Sequence, residues 1–170
     1  MFGVGQGMTA VTDRFLALLD ARSRAFERDE YQDGHLTGSA WLVSRDGERA
    51  LLTHHRKLGL WVQPGGHADG DHDLPRVALR EATEESGIPG LVLERGIFDV
   101  DRHVIPRRDD VPAHCHYDVR FVVRATTDER YVVGEESMDL AWRPVTDLVA
   151  DPLVDASVQR MARRWLARSR

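Results

Sequence analysis

Three glutamates lie close together in the stretch REATEESGI, residues 80–88. Residues three and four apart share one face of an α-helix, so Glu81, Glu84 and Glu85 fall within an arc of about 100°. Carboxylates at this spacing repel one another, and Arg80 supplies one cation against the three. A hard divalent cation such as Mg²⁺ offsets this charge, because it prefers oxygen ligands and is commonly shared with phosphates. The spacing predicts a metal-binding edge, with a solvated acidic face as the alternative.

The glutamates need a helix that holds them in place. Apolar and small residues at helical spacing predict a helix from about Leu74 to Ser86, ended by Gly87. Asp71 or Asp73 is expected to cap its first turn, since short acidic side chains accept hydrogen bonds from free backbone N–H groups. Upstream, the segment QPGG contains Gly65 and Gly66, which permit close approach of the backbone to a ligand.

Together these residues resemble a Nudix box, with the pattern G-x5-E-x7-R-E-U-x-E-E-x-G-U, where U is aliphatic. Gly66 begins the box and Ile88 ends it, and the other matching positions are Arg80, Glu81, Glu84, Glu85 and Gly87, with Ala82 at an aliphatic position. The early glutamate of the box is replaced by His72. The strand-like segments before the box and the segment GEESMDLAWRPVTDL after it are also similar to Nudix proteins.

The resemblance implies an α/β fold, the Nudix α/β/α sandwich with a mixed β-sheet. The chain length of 170 residues fits one domain, residues 1–170. Within it we expect an N-terminal helix at 8–30, a Nudix core at 35–150 and a C-terminal helix at 155–170. The two terminal helices are predicted from the spacing of apolar residues.

The resemblance also implies roles for individual residues. Glu81, Glu84 and Glu85 match metal-binding glutamates, and the backbone carbonyl of Gly65 is a further expected ligand. Bound Mg²⁺, or Mn²⁺, would neutralise a diphosphate and acidify a water for attack at phosphorus. The expected catalytic residues are Glu84, Glu85, Arg80, which orients a glutamate, and Glu136, a second candidate for the general base.

The activity implied is hydrolysis of the pyrophosphate bond of a nucleoside diphosphate linked to another group. A nucleotide sugar, an ADP-ribose-like compound and a nucleoside triphosphate all fit this description. The alternative is a Nudix module that senses a nucleotide without cleaving it, and the replacement at His72 favours that alternative. Isomerisation of an isoprenoid diphosphate is a third, remote option, and Cys115 does not match a position expected for it.

Composition limits which binding partners and which cellular location are expected. The formal net charge is −5, with the basic residues spread along the chain, so nucleic acid is not an expected partner. A single cysteine excludes an intrachain disulfide and no apolar run reaches transmembrane length, which together predict a cytoplasmic location without membrane association. The expected partner is a nucleotide-derived small molecule, and a homodimer is left open.

Histidines and clustered cations form weaker signals. His114 and His116 alternate in a predicted strand and would share one face with His103, so imidazole ligands for zinc are one interpretation and pocket-lining histidines the other. One basic cluster could contact substrate phosphates or be an exposed hairpin end: His54, His55, Arg56 and Lys57. A second could contact RNA or form the solvated side of an amphipathic helix: Arg160, Arg163, Arg164, Arg168 and Arg170.

Overall fold

The computed structural model describes residues 5–21, 24–55, 59–134 and 137–168. The elements in chain order are α1 (Gly5–Ala21), β1 (His35–Val43), β2 (Arg49–His55), β3 (Trp61–Val62), β4 (Gly65–His67), α2 (Leu74–Ser86), β5 (Leu91–Ile105), β6 (His114–Ala125), β7 (Ser137–Pro144), α3 (Val145–Leu148) and α4 (Ala156–Arg168). None of the described helices is long and apolar enough to cross a membrane.

The strands form one mixed sheet in the order β3-β2-β1-β6-β5. Strand β1 runs parallel to β6 along its whole length, and the other pairs are antiparallel. The first half of β1 pairs with β4, with Ser39 opposite Gly65, while its last residue, Val43, pairs with Ala50 of β2. Pairing with β1 therefore holds β4, the short strand in which the box begins.

Alternating side chains on β1 divide the core into two layers. Leu36, Ala40 and Leu42 pack on the side covered by α1 and α2, where Phe15, Leu18, Ala78, Ala82 and Ile88 complete the clusters. Trp41 and Val43 face the other side, against a cluster that includes Leu148 of α3 and Val158, Met161, Ala162 and Trp165 of α4. The expected α/β/α sandwich with a mixed sheet is confirmed.

The second of these faces is polar toward the beginning of β1. His35, Thr37 and Ser39 alternate with the residues that face α2, and all three are at most 5% exposed. The parallel register places them opposite His116, Asp118 and Arg120 of β6. Residues of this type at buried strand positions are unusual, and they lie beside β4, where the box begins.

The N-terminal helix is shorter than the predicted span 8–30. It occupies Gly5–Ala21, and residues 24–30 form turns closed by bonds from Glu27 N to Arg24 O and from Glu30 N to Glu27 O. The turns follow from a tertiary contact, since Ala25 is fully buried and its carbonyl accepts a hydrogen bond from Leu36 N at 2.7 Å. A continuing helix would use that carbonyl for its own ladder.

Candidate active site

Helix α2 presents the box glutamates and is held at both ends. Asp73 is the N-cap and accepts a hydrogen bond from Arg76 N at 3.1 Å, so Asp73 rather than Asp71 fills the predicted role. Gly87 ends the helix in the left-handed region at φ 67°, and its N–H donates to Thr83 O. The side packed on the sheet is formed by Val77, Ala78, Ala82 and Ser86.

The loop before α2 keeps its shape without the early box glutamate. His72, which stands at that position, stacks on Phe26 with ring centroids 4.0 Å apart. Gly70 N donates to the backbone carbonyl of Phe26 at 2.8 Å. Asp71 accepts two hydrogen bonds from Arg76, at 2.7 and 2.9 Å. These contacts fasten the loop to the turn after α1 and to the start of α2.

Glu81 is held in a single orientation by its neighbour. Arg80 donates to Glu81 Oε1 from Nη2 at 2.7 Å and from Nε at 3.3 Å. The same Nη2 donates to the backbone carbonyl of His67 at 3.1 Å. Arg80 thus connects the helix with β4, and it makes the contact with a glutamate that the sequence predicts for it.

Gly66 leaves the space that the Glu81 carboxylate fills. A Cβ added to Gly66 would lie 2.4 Å from Glu81 Oε2 and 2.5 Å from its Cδ, closer than real Cβ contacts allow. The glycine at the start of the box is therefore required by the position of the Glu81 carboxylate, which lies directly against the β4 backbone.

Glu85 also reaches β4. Its Oε1 accepts a hydrogen bond from Gly65 N at 2.8 Å. The helix thus brings Glu81 and Glu85 to two successive glycines of one strand, while Glu84 on the same face is exposed. The structure places Gly65, the expected carbonyl ligand, in contact with the Glu85 carboxylate and next to Gly66, which faces Glu81. Position 65 requires glycine, because a Cβ there would lie 2.1 Å from Ser39 Oγ.

The donor set fits a hard divalent cation. Three glutamates share one edge of α2, and the Glu81 carboxylate lies against Gly66 in space that a side chain on residue 66 would take. Arg80 bonds Oε1 of Glu81, and Gly65 N bonds Oε1 of Glu85. Oxygen-rich sites of this kind suit Mg²⁺ or Mn²⁺. The second base candidate, Glu136, lies outside the described residues, as do Arg56, Lys57 and Arg170.

Sequence reasoning missed a buried polar network on the face of the sheet opposite α2. Asp118 Oδ1 accepts hydrogen bonds from Thr37 at 2.9 Å and Ser39 at 2.7 Å. Its Oδ2 accepts from Arg120 at 2.7 Å and from the Gln63 side chain at 3.3 Å. Gln63 lies between β3 and β4, two residues before Gly65, so the network connects the centre of the sheet with the start of the box.

The network continues to β5 and α4. Arg120 and Arg160 both pair with Asp99 and Asp101. Burial would raise the pKa of Asp101, but the hydrogen bond with His103 and the charges of Arg120 and Arg160 outweigh it and hold that pKa well below its usual range. The C-terminal basic cluster is thus largely paired with acids of the sheet, since Arg168 also contacts Glu94 at 3.1 Å.

Five histidines gather at the polar end of this face, next to β4. His114 and His116, predicted to share a face, are joined by His35 and His67, which no sequence pattern grouped with them. The ring-centroid distances between His35 and its neighbours are 5.1 Å to His67, 5.0 Å to His114 and 4.7 Å to His116, and His103 lies 5.4 Å from His116.

Three histidines of this group, His35, His67 and His116, have a pKa below the usual value for histidine. Burial lowers the pKa of His35, the pKa of His67 to about 4, and the pKa of His116 further below its usual range. Neighbouring histidines and Arg28 act in the same direction on the pKa of His67. Neutral imidazole is the form with a free lone pair.

Comparisons with known proteins bear on the family of this chain. The family model described as NUDIX domain matches residues 35–166. A putative mutator protein MutT4 of Mycobacterium tuberculosis is 33% identical over 129 residues, covering 65% of this chain and 50% of the relative. A putative 8-oxo-dGTP diphosphatase 3 of the same organism is 32% identical over 137 residues, covering 73% of this chain and 61% of the relative.

The fold is shared with a solved structure, a hydrolase of the NUDIX family from Clostridium perfringens. The TM-score is 0.62 at 22% identity, covering 80% of this chain and 98% of that one. The present chain spans only 50–61% of the length of the two mycobacterial relatives. The matched region begins at β1 and includes the whole box, so the resemblance noted in the sequence is confirmed, and the chain belongs to the Nudix family.

Proposed function

We propose that this protein is a divalent-metal-dependent hydrolase that cleaves the pyrophosphate bond of a nucleoside diphosphate linked to another group. The observation that carries the proposal is that Glu81 and Glu85 reach the two glycines of β4, with Glu84 exposed on the same edge of α2. Arg80 orients Glu81, and Gly65 N holds Glu85. A sensor that only bound a nucleotide would not need three carboxylates at one edge.

Glu81, Glu84, Glu85 and the carbonyl of Gly65 are the groups that would hold Mg²⁺ or Mn²⁺. When bound, the cation supplies charge neutralisation at the diphosphate and a more acidic water. Arg80 keeps the Glu81 carboxylate directed at β4 through a charge-assisted bond. Glu84 is exposed, and Glu85 accepts from a backbone N–H with one oxygen. We propose that Glu84, Glu85 or Glu136 accepts the proton of the attacking water.

The proposed substrate class is supported by the chemistry of the site and by the name of a relative. The mycobacterial relative named a putative 8-oxo-dGTP diphosphatase makes nucleoside triphosphates the first compounds to test. Nucleotide sugars and ADP-ribose-like compounds share the same anhydride bond and remain in the proposal. We further propose one catalytic domain over the chain and a cytoplasmic location, for which the single cysteine, Cys115, is the support.

The test is turnover across a panel of nucleotides with the wild type and Glu84→Gln. The panel contains 8-oxo-dGTP, the ordinary deoxynucleoside triphosphates, ADP-ribose and a nucleotide sugar, each with Mg²⁺ and with EDTA. We expect Mg²⁺-dependent release of a nucleoside monophosphate, with turnover of Glu84→Gln lower by about 10²-fold or more. Glu84 is exposed, so the variant should unfold at the same denaturant concentration as the wild type.

Glu48→Gln is the matched control, because it removes an exposed carboxylate in the turn between β1 and β2. It should keep full turnover. Equal turnover of Glu84→Gln and the wild type on their best common substrate would remove the site assignment.

The sensing alternative rests on His72 in place of the early box glutamate. The stacking of His72 on Phe26 and the Asp71–Arg76 bonds supply loop contacts of their own, which supports catalysis over sensing. Saturable binding of one panel member in calorimetry, with no product from any member, would favour the sensor.

A further inference from the structure

We propose that His35, His67 and His116 form a second metal site, selective for Zn²⁺ or a similar nitrogen-preferring divalent ion and separate from the carboxylate edge of α2. The three residues come from β1, β4 and β6. Each can direct one ring nitrogen inward, and these nitrogens all lie within 4.8 Å of one another. The box glutamates supply only oxygen ligands, so the two sites differ in chemistry.

The spacing is close to that of a bound ion. Nitrogens at about 2.0–2.1 Å from a tetrahedral zinc lie roughly 3.4 Å apart. An inward shift of the rings on the order of 1 Å would therefore bring the three nitrogens to coordinating distance. Side-chain rotation supplies shifts of this size without moving the strands.

The second observation is an unpartnered nitrogen on His35. The His35 side chain is buried, with the residue 1% exposed, and its Nδ1 lies 3.1 Å from the carbonyl oxygen of Glu30. A carbonyl only accepts, so Nδ1 carries the proton and Nε2 of the neutral ring has the lone pair. Among the described residues Nε2 has no hydrogen-bond partner. A buried polar atom without a partner is costly, and a metal ion would satisfy it.

His114 supports the trio from the side. Its Nδ1 lies 2.9 Å from the carbonyl oxygen of Pro112, and its Nε2 lies 3.2 Å from His116 Nε2. These contacts orient the ring of His116. Carbonyl groups that fix the tautomer and direction of a histidine are the usual outer support of imidazole ligands. Glu30 supplies such a carbonyl to the ligand His35, whereas Pro112 bonds His114, which is not a ligand but contacts His116.

Zinc is the ion that this set fits. Imidazole suits zinc and its neighbours in the first transition series, whereas Mg²⁺ prefers oxygen and keeps several waters. Three histidine ligands leave a fourth position of a tetrahedral ion for water or another group. Zinc here would tie β1, β4 and β6 together. It would also steady β4, since the carbonyl of His67 accepts the bond from Arg80 that orients Glu81.

The experiment titrates the EDTA-treated protein with Co²⁺ and with Zn²⁺ in the presence of excess Mg²⁺. Co²⁺ in a tetrahedral nitrogen site absorbs strongly in the visible range, and Co²⁺ among oxygens in octahedral geometry absorbs weakly. We expect the strong spectrum, its bleaching by about one equivalent of Zn²⁺, and a melting temperature raised by several degrees with Zn²⁺.

Two variants locate the ion. His67→Gln and His116→Gln should each lose the strong spectrum and the thermal shift, while His54→Gln, whose ring stacks on Trp61 outside the group, should keep both. His67→Gln leaves the backbone carbonyl that Arg80 uses. Glu84→Gln should keep the spectrum as well, so failure of the hydrolase proposal and failure of this one are separate results. A weak, oxygen-type spectrum in the wild type, or an unchanged strong spectrum in both histidine variants, would overturn the proposal.

Discussion

At the scale of single residues, Arg80 is the group that makes Glu81 a fixed feature of the box. It bonds Glu81 through two nitrogens and the His67 carbonyl through one. Lysine keeps the charge but has no planar fork, so it cannot make these bonds together. Residues that orient a metal ligand are typically worth about 10–100-fold in metal affinity or activity.

We therefore expect Arg80→Lys to lower turnover by about 10–100-fold and to raise the Mg²⁺ concentration needed for half-maximal rate. Steady-state rates measured over a Mg²⁺ series test this. Arg76→Lys is the control, because Arg76 lies one turn earlier on α2 and bonds Asp71 in a similar way without touching a box glutamate. If the two variants behave alike, Arg80 has no positioning role.

The glutamates and Arg80 could be assigned to one helix edge from the sequence because helical spacing is a local property. Asp73 and Gly87 were predictable for the same reason, since caps act within a few residues. The histidine trio was not. Its members are far apart in the chain, and only the parallel register of β1 and β6 sets His35 opposite His116.

At the scale of elements, the contact between β4 and α2 fixes the distance from the box glycines to the carboxylates. A Cβ added to Gly66 would meet the end of the flexible Glu81 side chain. A Cβ added to Gly65 would meet both the side chain of Ser39 and its Cα atom, the latter at 2.8 Å. Substitution by alanine should therefore disturb the site at position 66 and the sheet at position 65.

Gly66→Ala should fold with a loss of stability of about 1 kcal/mol or less, because the Glu81 carboxylate can move away from the new methyl group. The moved carboxylate should lower turnover by about 10-fold or more. Gly65→Ala should lose about 2 kcal/mol or more of unfolding free energy, since it overlaps strand backbone. Gly134→Ala, with open space around it, is the control in urea unfolding and rate measurements. Full turnover of Gly66→Ala would show that Glu81 does not need its present position.

The element boundaries that the sequence misjudged share one cause. The prediction of a helix over 8–30 followed apolar spacing, but α1 ends at Ala21 and Ala25 bonds β1. Strand β5 likewise continues to Ile105, because β6 pairs with it through His114. Partners distant in sequence set these limits, and a single sequence does not display them.

At the scale of the whole molecule, a buried network of charges connects the centre of the sheet to α4. Arg120 is 2% exposed in its side chain and pairs with Asp118, Asp99 and Asp101, while Arg160 extends from α4 to the last two. A buried ion pair contributes little by itself, yet removing one partner leaves uncompensated charge and costs about 3–5 kcal/mol. The network therefore constrains how α4 sits on the polar side of the sheet.

Arg120→Gln tests this constraint. It leaves Asp118 and Asp99 without their buried cation, and we expect the free energy of unfolding to fall by about 3–5 kcal/mol. Arg130→Gln is the control: that side chain is 90% exposed beside Asp128, and its loss should change stability by less than about 1 kcal/mol. Guanidinium unfolding of both variants, followed by tryptophan fluorescence, measures the difference.

Adding Asp118→Asn to Arg120→Gln removes a charge that Arg120 balanced, so the double variant should be more stable than Arg120→Gln. A double variant that loses the sum of both single effects would mean that the two groups act independently.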